Sequence, residues 1–382
     1  MKLSDIVDRI NGNVDRFTTD LEYYIGGEHI DSCELEITRG GNLKENLGKL
    51  GFKFHFAFKD RDVIFMARNP HLRKAGMVMF SGLCSDASYI LRSKDENIIT
   101  QEFLAVQLQS DHFWDYCERT KVGSVNFANN WTSIANYEFD LPSIDKQKKI
   151  AKKVWAAYNL KKSYRKLLSA TQEMVKSQFI EMFGNPLSSV QRYSLKNLGD
   201  CCELNPRRPS LDLEDTDNVS FVPMSSISEN GYLQDVTDEE YGKVKKGFTY
   251  FENGDVLFAK ITPCMENGKG AIAEGLTNNI GMGSTEFHVL RPIEGVSSPY
   301  WLLALTRLSI FREKASKNMT GTGGQKRVPA NYLENFMVGL PPIEEQNRFE
   351  NIYKQADKSE FELRKSIEAI DQVIKSLINN IK

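Results

Sequence analysis

Leu141-Pro142-Ser143-Ile144-Asp145-Lys146-Gln147 returns as Leu340-Pro341-Pro342-Ile343-Glu344-Glu345-Gln346, 199 residues further along the chain. In both places a helical pattern begins directly after the proline. At the same displacement Arg165-Lys166 falls on Arg364-Lys365, and Lys176-Ser177 on Lys375-Ser376. Upstream, Gly82, Ser85, Leu91 and Arg92 fall on Gly281, Ser284, Leu290 and Arg291. A shorter echo, Asp62-Val63-Ile64-Phe65 against Asp255-Val256-Leu257-Phe258, lies 193 apart, so small insertions separate the halves. Several matches in register mean two copies of one architecture.

Each copy ends in a long helix with a narrow seam. In the first, steps of four and three pick out Ile150, Val154, Ala157, Lys161, Tyr164, Leu168, Thr171, Val175, Gln178 and Met182. In the second they pick out Phe349, Tyr353, Ala356, Glu360, Leu363, Ile367, Ile370, Ile374, Leu377 and Ile381. One helix alone cannot bury such a stripe, so a coiled-coil partner is expected. The first helix should stop at Gly184-Asn185-Pro186, a C-cap followed by a breaker. At about 40 residues, each helix would be about 60 Å long.

The stretches before the helices read differently. Asp62–Ala67 and Gly254–Ala259 are short β-type runs bounded by turn formers. Residues 102–119 and 298–316 read as single amphipathic helices carrying Phe103, Phe113 and Trp114, and Tyr300, Trp301 and Phe311. The expected fold is therefore α+β. Two similar mixed α/β domains, 1–141 and 187–340, alternate with helices at 142–186 and 341–382. The helices should run antiparallel as a coiled coil about a pseudo-two-fold axis.

The 382 residues carry a formal charge of −2, unevenly spread. It is −5 over residues 1–141, +7 over 144–183, −3 over 184–341 and −1 over 342–382. The basic first helix (Lys146, Lys148, Lys149, Lys152, Lys153, Lys161, Lys162, Arg165, Lys166) suits contact with nucleic acid, contact with an acidic partner, or a plain solvated face. The N-terminus has no signal-peptide pattern, and no run approaches the length of a membrane span. Six cysteines (Cys33, Cys84, Cys117, Cys201, Cys202, Cys264) form no C-x-x-C pair and no metal site. Reduced, buried thiols in a cytoplasmic protein are expected.

Enzyme motifs fail on spacing. Gly321-Thr322-Gly323-Gly324-Gln325-Lys326 lacks the phosphate-loop pattern and the following Ser or Thr. Asn205-Pro206-Arg207 lacks the second proline and the aromatic of an amino-methyltransferase loop. Asp255, Glu266 and Lys269 invite a metal-dependent nuclease, but Glu266-Asn267-Gly268-Lys269 reads as a turn. His29, His55, His71, His112 and His288 pair with no nucleophile. No catalytic or metal-binding residue is expected.

This layout resembles the specificity subunit of type I restriction-modification systems. The likeness rests on Gly321–Arg327 leading to Leu340–Gln346, on Phe179-Ile180-Glu181-Met182-Phe183-Gly184-Asn185-Pro186, and on the Gly254–Lys260 run. It covers nearly the whole chain. In the first copy Gly123-Ser124-Val125-Asn126 replaces the Gly-Thr-Gly-Gly run. The resemblance implies two target-recognition domains that each read half of a split DNA site. It implies helices that space the readers and dock two methyltransferase subunits, with a restriction motor subunit as an optional further partner. S-adenosylmethionine would sit on the methyltransferase, and this chain would hold no cofactor.

Unlike domains should read an asymmetric site, since only a true two-fold reads a palindrome. Paired hydrogen bonds to bases come from Arg, Lys, Asn and Gln on loops. The candidates are Arg68, Asn69, His71, Arg73, Lys74, Asn126 and Asn129 in the first domain. In the second they are Lys260, Thr262, Asn267, Lys269, Gln325, Lys326 and Arg327. The mildly acidic domains predict weak DNA binding by the chain alone. The alternative is a DNA-independent scaffold whose two domains grip proteins.

Overall fold

A computed structural model describes residues 1–125, 127–185, 192–322 and 324–381. The chain forms two compact units, Met1–Lys166 with Leu363–Lys382, and Leu167–Glu362. Each unit holds one globular α+β domain and one end of both long helices, Ile144–Phe183 and Ile343–Asn379.

The β-runs read from sequence become the central strands. In the first unit Val63–Met66 lies third in a five-stranded sheet ordered Val7–Ile10, Ser88–Ser93, Val63–Met66, Ala75–Val78, Glu36–Ile37. In the second, Val256–Ala259 lies third in the order Cys202–Leu204, Phe287–Pro292, Val256–Ala259, Gly270–Ile272. Side chains alternate across a strand. Val63 and Phe65 therefore join the cluster with Phe103, Phe113 and Trp114, while Ile64 and Met66 join Ile25, Phe58 and Val78 on the other face. Val256 and Phe258 likewise face Trp301 and Phe311, and Leu257 faces Val222 and Phe251. A continuous apolar run is what a strand covered on both faces requires.

A second sheet repeats as well. Gly41–Asn42, Tyr23–Ile25, Gly82–Ser85 and Phe54–Phe58 correspond to Thr237–Glu240, Asn218–Val222, Ile280–Gly283 and Thr249–Glu252, each with one parallel pair at its centre. The repeated glycine is steric. A Cβ on Gly82 would sit 2.6 Å from the Tyr23 carbonyl oxygen, and one on Gly281 2.0 Å from the Phe251 ring.

Two buried polar devices recur. Arg92 forks onto Asp62 at 2.7 and 2.8 Å, and Arg291 onto Asp255 at 2.8 and 2.7 Å. Gln147 and Gln346, both with no exposure, make three matched bonds. The Gln147 amide donates to the carbonyls of Ile98 (2.8 Å) and Pro142 (2.9 Å) and accepts from the Thr100 N–H (3.1 Å). Gln346 donates to Val296 and Pro341, both at 2.9 Å, and accepts from Ser298 at 2.8 Å. The final glutamine of the repeated heptapeptide thus ties each long helix to its domain.

Within each unit the two helix ends run antiparallel. Val154 and Tyr158 cluster with Ile374 and Ile378 in the first, where Lys161 meets Asp371 at 2.6 Å. In the second, Phe179 and Phe183 pack on Phe349 at 5.3 and 5.5 Å between ring centroids, and Gln172 meets Glu360 at 3.1 Å. The expected seam is buried or half-buried throughout. Ala151, Tyr158, Phe179, Phe183 and Ile378, one step off it, are buried too, because each helix also packs on a globular domain.

Three expectations need correction. The single helices break in two: Gln101–Gln107 and Asp111–Thr120, and Pro299–Arg307 and Ser309–Lys317. Ser110 starts the second helix by accepting from the Phe113 N–H, and Leu308 adopts an extended backbone. The basic first helix is not wholly open. Lys161 and Arg165 hold Glu34 at 3.0 and 2.9 Å, and Lys162 holds Glu36 at 2.6 Å, while Lys146, Lys148, Lys149, Lys152, Lys153 and Lys166 are exposed. Four thiols are buried, but Cys33 is exposed and Cys264 half-exposed. The helix stop agrees with the reading of Gly184, which takes φ +72° and donates to Ile180 at 2.8 Å; Pro186 lies outside the described residues.

Replacing Gln346 by Leu strands an N–H and two carbonyls in the interior. Each such group costs about 1–3 kcal/mol. Urea unfolding should show Gln346→Leu less stable by at least about 2 kcal/mol. Exposed Gln355→Leu should stay within about 0.5 kcal/mol of the parent. Equal stability of the two variants would contradict this account of the motif.

Candidate nucleic-acid interface

Just past each central strand the chain enters the same backbone clip. Ala67 N–H donates to Ala87 at 2.9 Å, as Lys260 does to Glu286 at 3.0 Å. Asn129 then donates to Ala67, and Val328 to Lys260, both at 2.9 Å. Asn69 donates to Phe127 at 2.9 Å, and Thr262 to Lys326 at 3.0 Å. Val122 and Ala128 exchange two bonds, as do Thr320 and Arg327. These paired bonds close equivalent stretches of chain, with five residues between Val122 and Ala128 and six between Thr320 and Arg327.

In the second unit the clip is charged. Arg327 donates from Nε and Nη2 to the Glu286 carboxylate at 2.8 and 2.7 Å, and from Nη1 to the Gln325 carbonyl at 3.3 Å. The fork, with the nearby Lys260 and His288, holds the Glu286 carboxyl below its usual range despite partial burial. Burial, aided by Arg327 and opposed by Glu286, lowers Lys260. His288 Nε2 lies 2.8 Å from the Val328 carbonyl, which fixes that nitrogen as donor. Thr262 Oγ1 accepts from the Lys326 N–H at 3.1 Å and donates to the Gly324 carbonyl, closing the loop base. Gln325 and Lys326 stand exposed at the tip. Asn267 is exposed but donates to Glu229 at 2.8 Å, and Lys269 is half-exposed nearby.

In the first unit the three matching positions are neutral, and the charges at the clip are those of Arg68 and Asp86. Ala67, Ala87 and Ala128 stand where Lys260, Glu286 and Arg327 stand in the second. They line an open groove of about 230 Å³ with Arg68, Asp86, Tyr89, Val122 and Asn130. Tyr89 replaces His288, and its hydroxyl donates to the Asn129 carbonyl at 2.9 Å. Arg68, Asn69 and His71 are exposed, Asn69 in the left-handed region that asparagine tolerates.

The other candidates of the first unit lie elsewhere. Arg73 pairs with Asp111, and Lys74 donates to the Gly27 carbonyl. Asn129 is 1% exposed, and its amide holds the Cys117 carbonyl at 2.8 Å, so it shapes the clip from inside. Asn126 lies outside the described residues. Sequence reasoning missed Glu286, His288 and the three alanines. The signal was present: the 199-residue offset sets Glu286 on Ala87 and His288 on Tyr89.

The two units thus make the chain a protein of two repeated modules that share one backbone design and differ in the side chains it carries. Among the described residues no helix is long and apolar enough to cross a membrane, and no cluster of metal-ligating side chains occurs. The chain belongs to the type I restriction modification DNA specificity domain family, whose model matches residues 1–168 and 191–372. The specificity subunit of type I restriction enzyme EcoAI from Escherichia coli is 37% identical over 185 residues, 47% of this chain and 31% of that protein. The EcoEI specificity subunit from Escherichia coli is 36% identical over 200 residues, 50% of this chain and 33% of that protein. The match thus spans about a third of each relative's length. The solved type I system S subunit from M. genitalium superposes with a TM-score of 0.54 at 9% identity, covering 99% of this chain and 94% of that one. A chain from a structure of type I R-M complex assembly and conformational transition gives 0.53 at 18%, covering 99% and 95%. At these identities the likeness is one of fold.

The buried imidazole has a pH signature. Burial, reinforced by Lys260, lowers the His288 pKa against the opposing pull of the Val328 carbonyl and Glu286. The unfolded chain therefore takes up the proton first as pH falls below about 6.5. The stabilisation is full above that value and is lost as pH drops towards the folded pKa. Between about pH 7.5 and about pH 5.5 the parent should lose more unfolding free energy than His288→Gln. Equal losses would contradict the burial argument.

Proposed function

We propose that the chain is the DNA sequence-specificity subunit of a type I restriction-modification complex, with no catalytic role of its own. The clip carries this reading: at three matched positions one backbone frame displays alanines in one unit and a Lys–Glu–Arg set in the other. A duplicated frame with unlike side chains suits an asymmetric split site. Family membership and the E. coli specificity subunits support the same assignment.

In this reading the long helices set the distance between the two reading surfaces. A helix has a constant rise where a flexible linker would blur the spacing. The exposed faces of the same helices dock two methyltransferase subunits, and a restriction motor subunit can join them. The methyltransferases bring S-adenosylmethionine and the chemistry; this chain works with them in the cytoplasm. In this reading Arg68, Asn69, His71, Lys269, Gln325, Lys326 and Arg327 are the DNA contacts, supported by their full or partial exposure, while Thr262 shapes its loop.

Residues 187–340 should carry one half of the specificity. Their exchange for the matching segment of a relative, followed by mapping of methylated adenines in cells that contain the methyltransferase subunits, should change one half of the recognised site only. An unchanged site would favour a DNA-independent scaffold.

With a net charge of −2, the isolated chain gains little from phosphate attraction. In physiological salt it should bind duplex DNA no more tightly than about micromolar, as fluorescence anisotropy would show. Nanomolar binding by the chain alone would contradict this prediction.

A further inference from the structure

We infer that Glu286 is a positioning residue for base recognition: it locks the Arg327 guanidinium so that its free edge reads a guanine in the major groove. The inference rests on the DNA-reading role proposed above and deepens it. A guanidinium has five N–H donors in a rigid fork. Glu286 occupies the Nε–H and one Nη2–H at 2.8 and 2.7 Å. The Gln325 carbonyl lies 3.3 Å from Nη1, so both ends of the fork are restrained. By count, one N–H on each Nη remains, and a neighbouring pair of such donors matches guanine O6 and N7.

Glu286 is itself held. Its N–H donates to Ser284 Oγ at 3.2 Å, and its carbonyl accepts from the Lys260 N–H at 3.0 Å. Arg327 is anchored through its two bonds with Thr320, and both residues stay partly exposed. An arginine fixed before binding loses less side-chain freedom on contact than a free one. It also discriminates better, because a mobile arginine can turn to any nearby phosphate.

The first unit gives an internal comparison. The residues equivalent to Glu286 and Arg327 are Ala87 and Ala128, and an open groove replaces the ion pair. Both members of the pair are absent together while the backbone bonds around them remain. A pair needed only to hold the clip would be needed in both units. The ion pair is therefore a feature of what the second unit reads.

The test uses the full chain with its methyltransferase subunits in cells, with methylated adenines mapped across the genome. Glu286→Ala keeps the arginine charge but releases its orientation. Arg327→Lys keeps the charge but removes the fork. Each should relax discrimination at one G·C pair, in the half-site assigned to residues 187–340, on the order of ten- to a hundredfold. The other half-site should stay unchanged, and Glu286→Asp should restore part of the preference. Unaltered discrimination in both variants would overturn the inference. So would a loss spread evenly over every position and both halves, which is the mark of a merely structural pair. A parent whose methylated site has no half that follows residues 187–340 would instead sink the functional reading itself.

Discussion

A side-chain amide sealed from solvent decides where each long helix leaves its globular domain. Gln147 and Gln346 each clasp the turn before the helix and the loop that opens the domain's helical layer. Neither backbone segment could satisfy these groups by regular structure, because both lie where one element ends and another begins. The amide supplies donors and an acceptor in a fixed plane, so its three bonds set an angle as well as a contact. The buried Asp–Arg forks do the same for the central strands. Together they make the domain–helix joint a repeated part with the same internal geometry in both units.

On that constant frame the side chains have diverged. The clip keeps its backbone ladder in each unit, yet three alanines face a groove in one and Lys260 with the Glu286–Arg327 ion pair takes the matching positions in the other. The ladder can recur under different side chains because main-chain bonds do not depend on side-chain identity. In the proposed function, substitution at the clip would alter what is read while the main-chain ladder stays in place. The joints differ in a related way. In the first unit Lys161 and Arg165 converge on Glu34, where burial alone would raise the carboxyl and the two cations bring it down. In the second unit the position equivalent to Lys161 is Glu360, paired with Gln172.

The duplication, the central strands, the glycines and the extent of the helices were all legible in the chain. Each depends on local pattern: a 199-residue offset, an unbroken apolar run, a seam stepping by three and four. The helix breaks at Ser110 and Leu308 were hidden, because the apolar spacing continues across both. The partners of charged residues were hidden as well. Arg73 and Lys74 sit in a loop that looks free, but Asp111 and the Gly27 carbonyl reach them only through tertiary packing. Asn129 reads as a loop donor, and only the fold turns its amide inward. Glu286 carries no motif, and its meaning emerges when the ladder sets it beside Arg327 and opposite Ala87.

The proposal as a whole depends on helices acting as a ruler between two readers. Insertion of one heptad into each helix, after Lys166 and after Lys365, preserves the seam. It lengthens each helix by about 10 Å, close to three base pairs of duplex. Mapping methylated sites for that variant with its methyltransferase subunits measures the ruler directly. Both half-sites should stay unchanged, and the unread spacer should lengthen by about three base pairs. An active complex that keeps the original spacer would contradict it.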